Sequence, residues 1–275
     1  MNAAEQWAVD LRSWAIPEAI LAAAPESPFG FPAEAFRRRG ESALGGPPTP
    51  TTLRALETLP EGGSVLDVGA GGGATSLPLA ARAALITGVD AQQDMLSGFA
   101  EAVERAGVRA AVVAGSWPSI EAAAPVADVV VCGHVAYNVA DLVPFVRALH
   151  DHARRRVVME LTAQHPLSWM NDLWLALHEV SRPDRPSADD ARAVLAEMGL
   201  TPHREERRDT DDVAGSGFAS REDAIAVVRR RLCLGAERDG EVAVALGARL
   251  RARDGVWSAG PSHQSVVTLW WDTHA

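Results

Sequence analysis

No lysine occurs among the 275 residues, and there are two cysteines, one tyrosine and no apolar run long enough to span a bilayer. Each scarcity narrows the reading. Cys132 and Cys233 stand in no metal-ligand spacing and are too few for a disulfide framework, which fits a reducing compartment and gives no metal site to expect. The 26 basic residues are outnumbered by 36 acidic ones, for a formal charge of -10, so composition does not supply the basic face that nucleic acid selects. Without lysine, the basic residues are all arginine; we read this as coding composition and draw no function from it. The first apolar stretch is broken by Glu5, Asp10 and Arg12, which speaks against a leader or an anchor. A cytoplasmic protein with no nucleic-acid or membrane partner is expected, with a homodimer left open.

The most informative stretch is VLDVGAGGGATS, Val65 to Ser76, an apolar run that breaks into glycines and then into a helical pattern. Gly69, Gly71 and Gly73 let backbone N–H groups approach an anionic group, and a helix start just beyond them would be electropositive. The glycines alone do not choose a ligand. Gly69 to Ala74 also reads as G-x-G-x-x-A, and Asp90 stands at about the distance of the ribose-binding acid in nicotinamide-nucleotide folds. Asp67 breaks the tie, because a carboxylate two residues before the first glycine would repel a pyrophosphate yet suits a ligand bearing an ammonium and a sulfonium. The stretch resembles the first motif of the class I S-adenosylmethionine-dependent methyltransferases, an acidic residue followed by G-x-G-x-G, here Asp67, Gly69, Gly71 and Gly73. The resemblance implies S-adenosyl-L-methionine as cofactor, and it says almost nothing of the acceptor.

From Ser64 short apolar runs alternate with helical patterns, the signature of a parallel sheet covered on both faces. Strands are predicted at 64–68, 84–89, 109–114, 128–132, 155–161, 201–207 and 264–271, with helices at 75–82, 92–106, 120–124 and 141–150. The resembled fold is α/β and Rossmann-like, a seven-stranded, mostly parallel sheet in the order 3-2-1-4-5-7-6 with its last strand antiparallel. Residues 1–60 read as an N-terminal helical extension, including a helix from Pro50 to about Leu59 capped by Thr49. Its aromatics Trp14, Phe29 and Phe31 need burial, against the sheet edge or, as in the resembled family, over the cofactor cleft. Residues 61–275 form the main domain, with helical insertions near 162–186 and 209–262. The first insertion carries Trp169, Met170, Leu173, Trp174 and Leu177 along one helix face, as a buried stripe or a lid. Ser187 with Asp190 forms a capping box. The second holds a GSG turn at Gly215 to Gly217, a helix capped by Ser220 with Asp223, another near 241–251, and the arginine run Arg229 to Arg231, read as a solvated face with a docking patch for an acidic acceptor or partner as the alternative.

The cofactor contacts expected are Asp67, Gly69, Ala70, Gly71, Asp90, Ala91, Met95, Ser116, Trp117 and His134. Asp90 can accept from both ribose hydroxyls, or cap the following helix. Trp117 can lie against an adenine ring or pack on a neighbouring helix, and Ser116 and Trp117 stand where the resembled family has an acidic residue. His134, Tyr137, Glu160 and His165 fall at the ends of the fourth and fifth strands and form the expected polar wall of an acceptor pocket, with His134 as general base. Asn138 and Asp141 read as a helix-capping pair. The expectation is methyl transfer to a small-molecule acceptor (EC 2.1.1.-). Two alternatives are an NAD(P)-dependent oxidoreductase, supported by G-x-G-x-x-A with Asp90, and a non-catalytic relative of the fold that binds a ligand or partner.

Overall fold

The computed structural model describes residues 1–30, 33–209, 217–253 and 255–273; Phe31 and the Gly215–Ser216 part of the GSG turn lie outside them. The apolar runs after Gly62 become strands β1 (Gly63–Val68), β2 (Ala83–Asp90), β3 (Arg109–Ala114), β4 (Ala127–Gly133) and β5 (Ala153–Thr162), all paired in parallel. Then follow β6 (His203–Asp209), a hairpin of β7 (Leu250–Arg253) and β8 (Val256–Ala259), and β9 (Gln264–Asp272). Strand β9 slots antiparallel between β5 and β6, so the sheet reads β3-β2-β1-β4-β5-β9-β6. This is the predicted seven-stranded order, its inserted strand counted ninth because the hairpin precedes it. Right-handed crossovers bring the carboxyl ends of β1 to β5 to one edge.

Ten helices occur among the described residues: α1 (Ala3–Arg12), α2 (Glu18–Ala23), α3 (Ala33–Gly45), α4 (Pro50–Leu56), α5 (Gln93–Arg105), α6 (Leu142–Asp151), α7 (Asn171–His178), α8 (Ala188–Glu197), α9 (Arg221–Arg231) and α10 (Asp239–Leu246). None is long and apolar enough to cross a membrane. Strand alternation divides the core in two. On one face Leu66, Val130, Val157 and Leu269 pack with Trp7 of α1, Phe145 of α6 and Leu195 of α8. On the other, Val65, Ile86, Val129 and Val158 pack with Ala55 of α4 and Phe99 of α5. The N-terminal segment therefore begins on one face of the sheet and reaches the other by α4.

Several local expectations are corrected. The helix predicted at 75–82 is only a 3₁₀ turn, Leu77–Leu79, because Pro78 lacks an N–H and few residues separate the glycines from β2. The segment at 120–124 is likewise one 3₁₀ turn, Glu121–Ala123. Asn138 ends a 3₁₀ turn instead of capping a helix, and α6 starts after Asp141 without a side-chain cap. The helix near 241–251 stops at Leu246, and a 3₁₀ turn, Gly247–Arg249, and the hairpin take its remainder. The caps at Thr49, Ser187 and Ser220 are present, each side chain accepting a backbone N–H three residues on.

The stripe of the first insertion is core. Met170, Leu173 and Trp174 are buried against Ile225 and Val228 of α9 and Val242 of α10, forming a third cluster that joins the two insertions. The arginine run is not a solvated face either. Arg229 is buried and paired with Glu26 and Asp239, while Arg230 and Arg231 donate to the carbonyl oxygen of Gly30. These arginines fasten the N-terminal segment to the insertion.

Candidate active site

Beyond β1 the chain turns on Gly69, Gly71 and Gly73, all with positive φ. The N–H groups of Gly69 and Ala70 donate to Val89 O, and that of Gly71 to Asp90 Oδ2. A Cβ on Gly72 would lie 2.0 Å from the carbonyl oxygen of Phe36, so α3 packs backbone to backbone on the loop. The close approach these glycines permit is thus partly to protein. The 3₁₀ turn that follows also supplies no extended helix start, which removes the electropositive end expected there for an anion.

Asp67 lies under this loop and is 1% exposed. Ser76 donates to its Oδ2 at 2.5 Å, while Oδ1 has no hydrogen-bond partner. Burial, with the charge of Asp90 adding to it and the Ser76 hydroxyl opposing, pushes this carboxyl up to about 7. At the end of β2 the Asp90 carboxylate accepts from Gly71 N and, through Oδ1, from Gln92 N at 2.9 Å. The second bond closes an Asx turn, whereas the N-cap residue of α5 is Gln92 itself. Each oxygen of Asp90 keeps a lone pair to offer. Ala70 and Met95 are buried, and Ala91 and Ser116 are exposed in loops at the same strand-end edge.

At the end of β4, His134 has φ +60, a left-handed conformation uncommon for a side chain with a Cβ. Its N–H donates to the carbonyl of Glu160 at 2.7 Å, and its Nε2 lies 3.0 Å from Glu160 Oε1. The same Nε2 is 2.8 Å from Arg39 Nη2 of α3. The two contacts alternate with one proton: Nε2–H donates to Glu160, and bare Nε2 accepts from Arg39. Burial and the Arg39 charge hold His134 below the ordinary histidine range, although Glu160 pulls the other way. Glu160 Oε2 accepts from Thr51 Oγ1 at 2.6 Å and faces Arg207 Nη2 at 3.4 Å. Burial alone would raise Glu160, but His134, Arg207 and Thr51 together hold it well below the carboxylate range.

The match to known proteins takes in the glycine loop, Asp90 and His134 and ends before Glu160. Residues 65–156, from β1 into β5, match the family model described as a methyltransferase domain. The fold is that of the class I methyltransferases. Among solved structures, the YcgJ protein of Bacillus subtilis superposes with TM-score 0.52 and 16% identity, covering 86% of this chain and 99% of its own. A Bacillus halodurans C-125 protein assigned as a methyltransferase gives 0.53 and 15%, over 81% and 97%. A cyclopropane-fatty-acyl-phospholipid synthase-like protein of Lactobacillus casei gives 0.51 and 17%, over 92% and 98%. These likenesses show the fold. No curated protein matches the chain in sequence.

Within this methyltransferase fold the four residues of the expected polar wall divide into two groups. His134 and Glu160 meet. Tyr137 and His165 instead join an aromatic ladder with the N-terminal segment: Trp7 stacks on Tyr137 at 5.6 Å, His165 sits edge-on to Tyr137 at 5.2 Å, and Trp14 stacks on His165 at 3.7 Å. The Tyr137 hydroxyl donates to Thr162 O at 2.7 Å. Burial, assisted by the charge of Arg182, depresses His165 to about 3, so its ring is neutral. Trp117 is held on α6, its Nε1 donating to Phe145 O and its ring edge-on to His152, which is the packing alternative for that residue. Residue-type reasoning missed Arg39, Thr51 and Arg207. One signal pointed toward the cluster: Thr268, polar within the apolar run Val266 to Leu269, pairs directly with Glu160 across β5 and β9 and hydrogen-bonds Thr51.

Proposed function

We propose that the protein transfers a methyl group from S-adenosyl-L-methionine to a small-molecule acceptor. The observation that supports this most is Asp67, a buried carboxyl with one oxygen unpartnered beside the glycine loop. Such a group costs free energy unless a cationic ligand meets it, and the ammonium and sulfonium of this cofactor fit that need. A pyrophosphate does not, since it would bring two negative charges toward Asp67 with no helix start to receive them. Asp90 would hold the ribose, with Gly69, Ala70, Gly71, Ala91, Met95 and Ser116 around the nucleoside. When bound, the cofactor supplies an electrophilic methyl carbon.

His134 then acts as the base for a protic acceptor. Neutral at physiological pH, its Nε2 can take a proton and pass its hydrogen bond from Arg39 to Glu160, whose charge stabilises the imidazolium. The N-terminal segment 1–60 serves as the cover of the site, since Phe36, Arg39 and Thr51 all contact its residues.

Calorimetry with S-adenosylmethionine, S-adenosylhomocysteine, NAD and NADP tests the proposal. The first two should bind and raise the melting temperature by mass action, and the nicotinamide nucleotides should do neither. Binding of NAD alone would overturn it.

A further inference from the structure

A cavity lies between the N-terminal segment and the inserted helices, walled by Trp14, Phe29, Met170 and Trp174, with Arg182 and Arg231 on its lining. It adjoins the strand-end edge, because Trp14 stacks on His165, three residues beyond β5. The Arg182 guanidinium lies over both indoles, 5.6 Å from the Trp14 centroid and 5.0 Å from that of Trp174. Two of its nitrogens donate to the carbonyls of Ala15 and Trp14, while Nε is buried and unpartnered.

The charge on this guanidinium is met by carbonyl oxygens and indole faces. Elsewhere Arg156, Arg207, Arg229 and Arg249 each have a carboxylate at hydrogen-bond distance, in a chain with ten more acidic than basic residues. Among the described residues none forms an ion pair with Arg182. Arg231 shares the cavity, and burial followed by the charge of Arg230 brings it down to about 10. The charge of Arg182 in this aromatic cavity is therefore not met by a carboxylate among the described residues, and the planar fork that carries it matches a planar anion.

We propose that this cavity binds a small planar carboxylate, its carboxylate on Arg182 and its apolar body against the two indoles and Met170. Under the proposed activity, on which this step rests, the acceptor is a flat carboxylic acid. The aromatic walls select the body and the guanidinium selects the head.

Benzoate, benzyl alcohol and benzylamine, titrated calorimetrically into the full chain with and without S-adenosylhomocysteine, supply the test. Benzoate should bind at least about tenfold more tightly than the alcohol, and the amine should not bind. Arg182→Gln and Arg182→Lys should each weaken benzoate about tenfold or more while leaving S-adenosylhomocysteine affinity unchanged. Equal affinity for the three probes, no binding of benzoate to wild type, or undiminished benzoate binding in both folded variants would overturn the proposal. Should the variants lose structure, seen as an absence of S-adenosylhomocysteine binding, the wild-type probe series alone decides. Selective benzoate binding by a wild type that ignores S-adenosylhomocysteine would sustain the pocket and sink the methyltransferase reading.

Discussion

Asp67→Asn should make the ligand-free protein more stable at pH 8 and a poorer binder of S-adenosylmethionine. Holding a carboxyl at about 7 in the native state, against an ordinary 3.8, costs on the order of 4 kcal/mol once both states are ionised. The sign follows from proton binding. Between pH 4 and 7 the folded chain keeps a proton that the unfolded chain releases, so stability falls as pH rises through that window and stays low above it. The amide carries no such penalty and can still accept from Ser76. It should recover about 2 kcal/mol at pH 8, or roughly 5 °C in Tm, and almost nothing at pH 4. Cofactor affinity should drop at least about tenfold, because the amide cannot replace a charge-assisted hydrogen bond to the ligand's cationic group. Thermal melts at the two pH values and one calorimetric titration read both effects. A variant that binds as well as wild type would remove Asp67 from the cofactor site.

The His134–Glu160 pair should behave in the opposite sense. Glu160 is held low, so its contribution to stability is present above about pH 4.5 and is lost as pH falls below that. Glu160→Gln leaves His134 and Arg207 facing a neutral amide and should destabilise the protein by about 3 kcal/mol at pH 7, with the difference closing in acid. Turnover supplies the second readout, once an acceptor is found by incubating methyl-labelled cofactor with extracts of the source organism or with candidate flat acids. His134→Ala should reduce turnover by a factor on the order of 100 with cofactor affinity intact. In Glu160→Gln the acid limb of the rate profile should move to lower pH, because the carboxylate that raises His134 is gone. Wild-type rates in His134→Ala would take this histidine out of the mechanism.

Strands β1, β2, β4 and β5 were legible because burial on both faces gives each an apolar run closed by glycine, proline or a charge. The turn at Leu77–Leu79 was not, because a helical pattern of small and apolar residues reads the same whether or not Pro78 cuts it short. The hairpin did carry a sign, the Asp-Gly dipeptide at 254–255, but the arginines on its first strand obscure the alternation. At the site, Glu160 announces itself as a charge ending an apolar strand. Its company does not: Thr51 is 109 residues away, and Arg39 lies 95 from His134. Tyr137 and His165 were grouped with the wrong neighbours because strand ends fix where a loop begins and not which face its side chains take. Trp7, anchored on Val139 O across 132 residues, and Trp14 claim them.

The aromatic ladder gives the protein an optical property. With one tyrosine in the chain, absorbance of the phenolate reports a single position. Tyr137 is buried beneath Trp7, and burial pushes its hydroxyl well above the ordinary tyrosine range despite the bond to Thr162. While α1 stays docked, an alkaline spectrophotometric titration should therefore remain silent through about pH 11. The phenolate band should rise near pH 10 only when the first helix has been displaced or removed, which turns one side chain into a direct gauge of whether the N-terminal segment is in place.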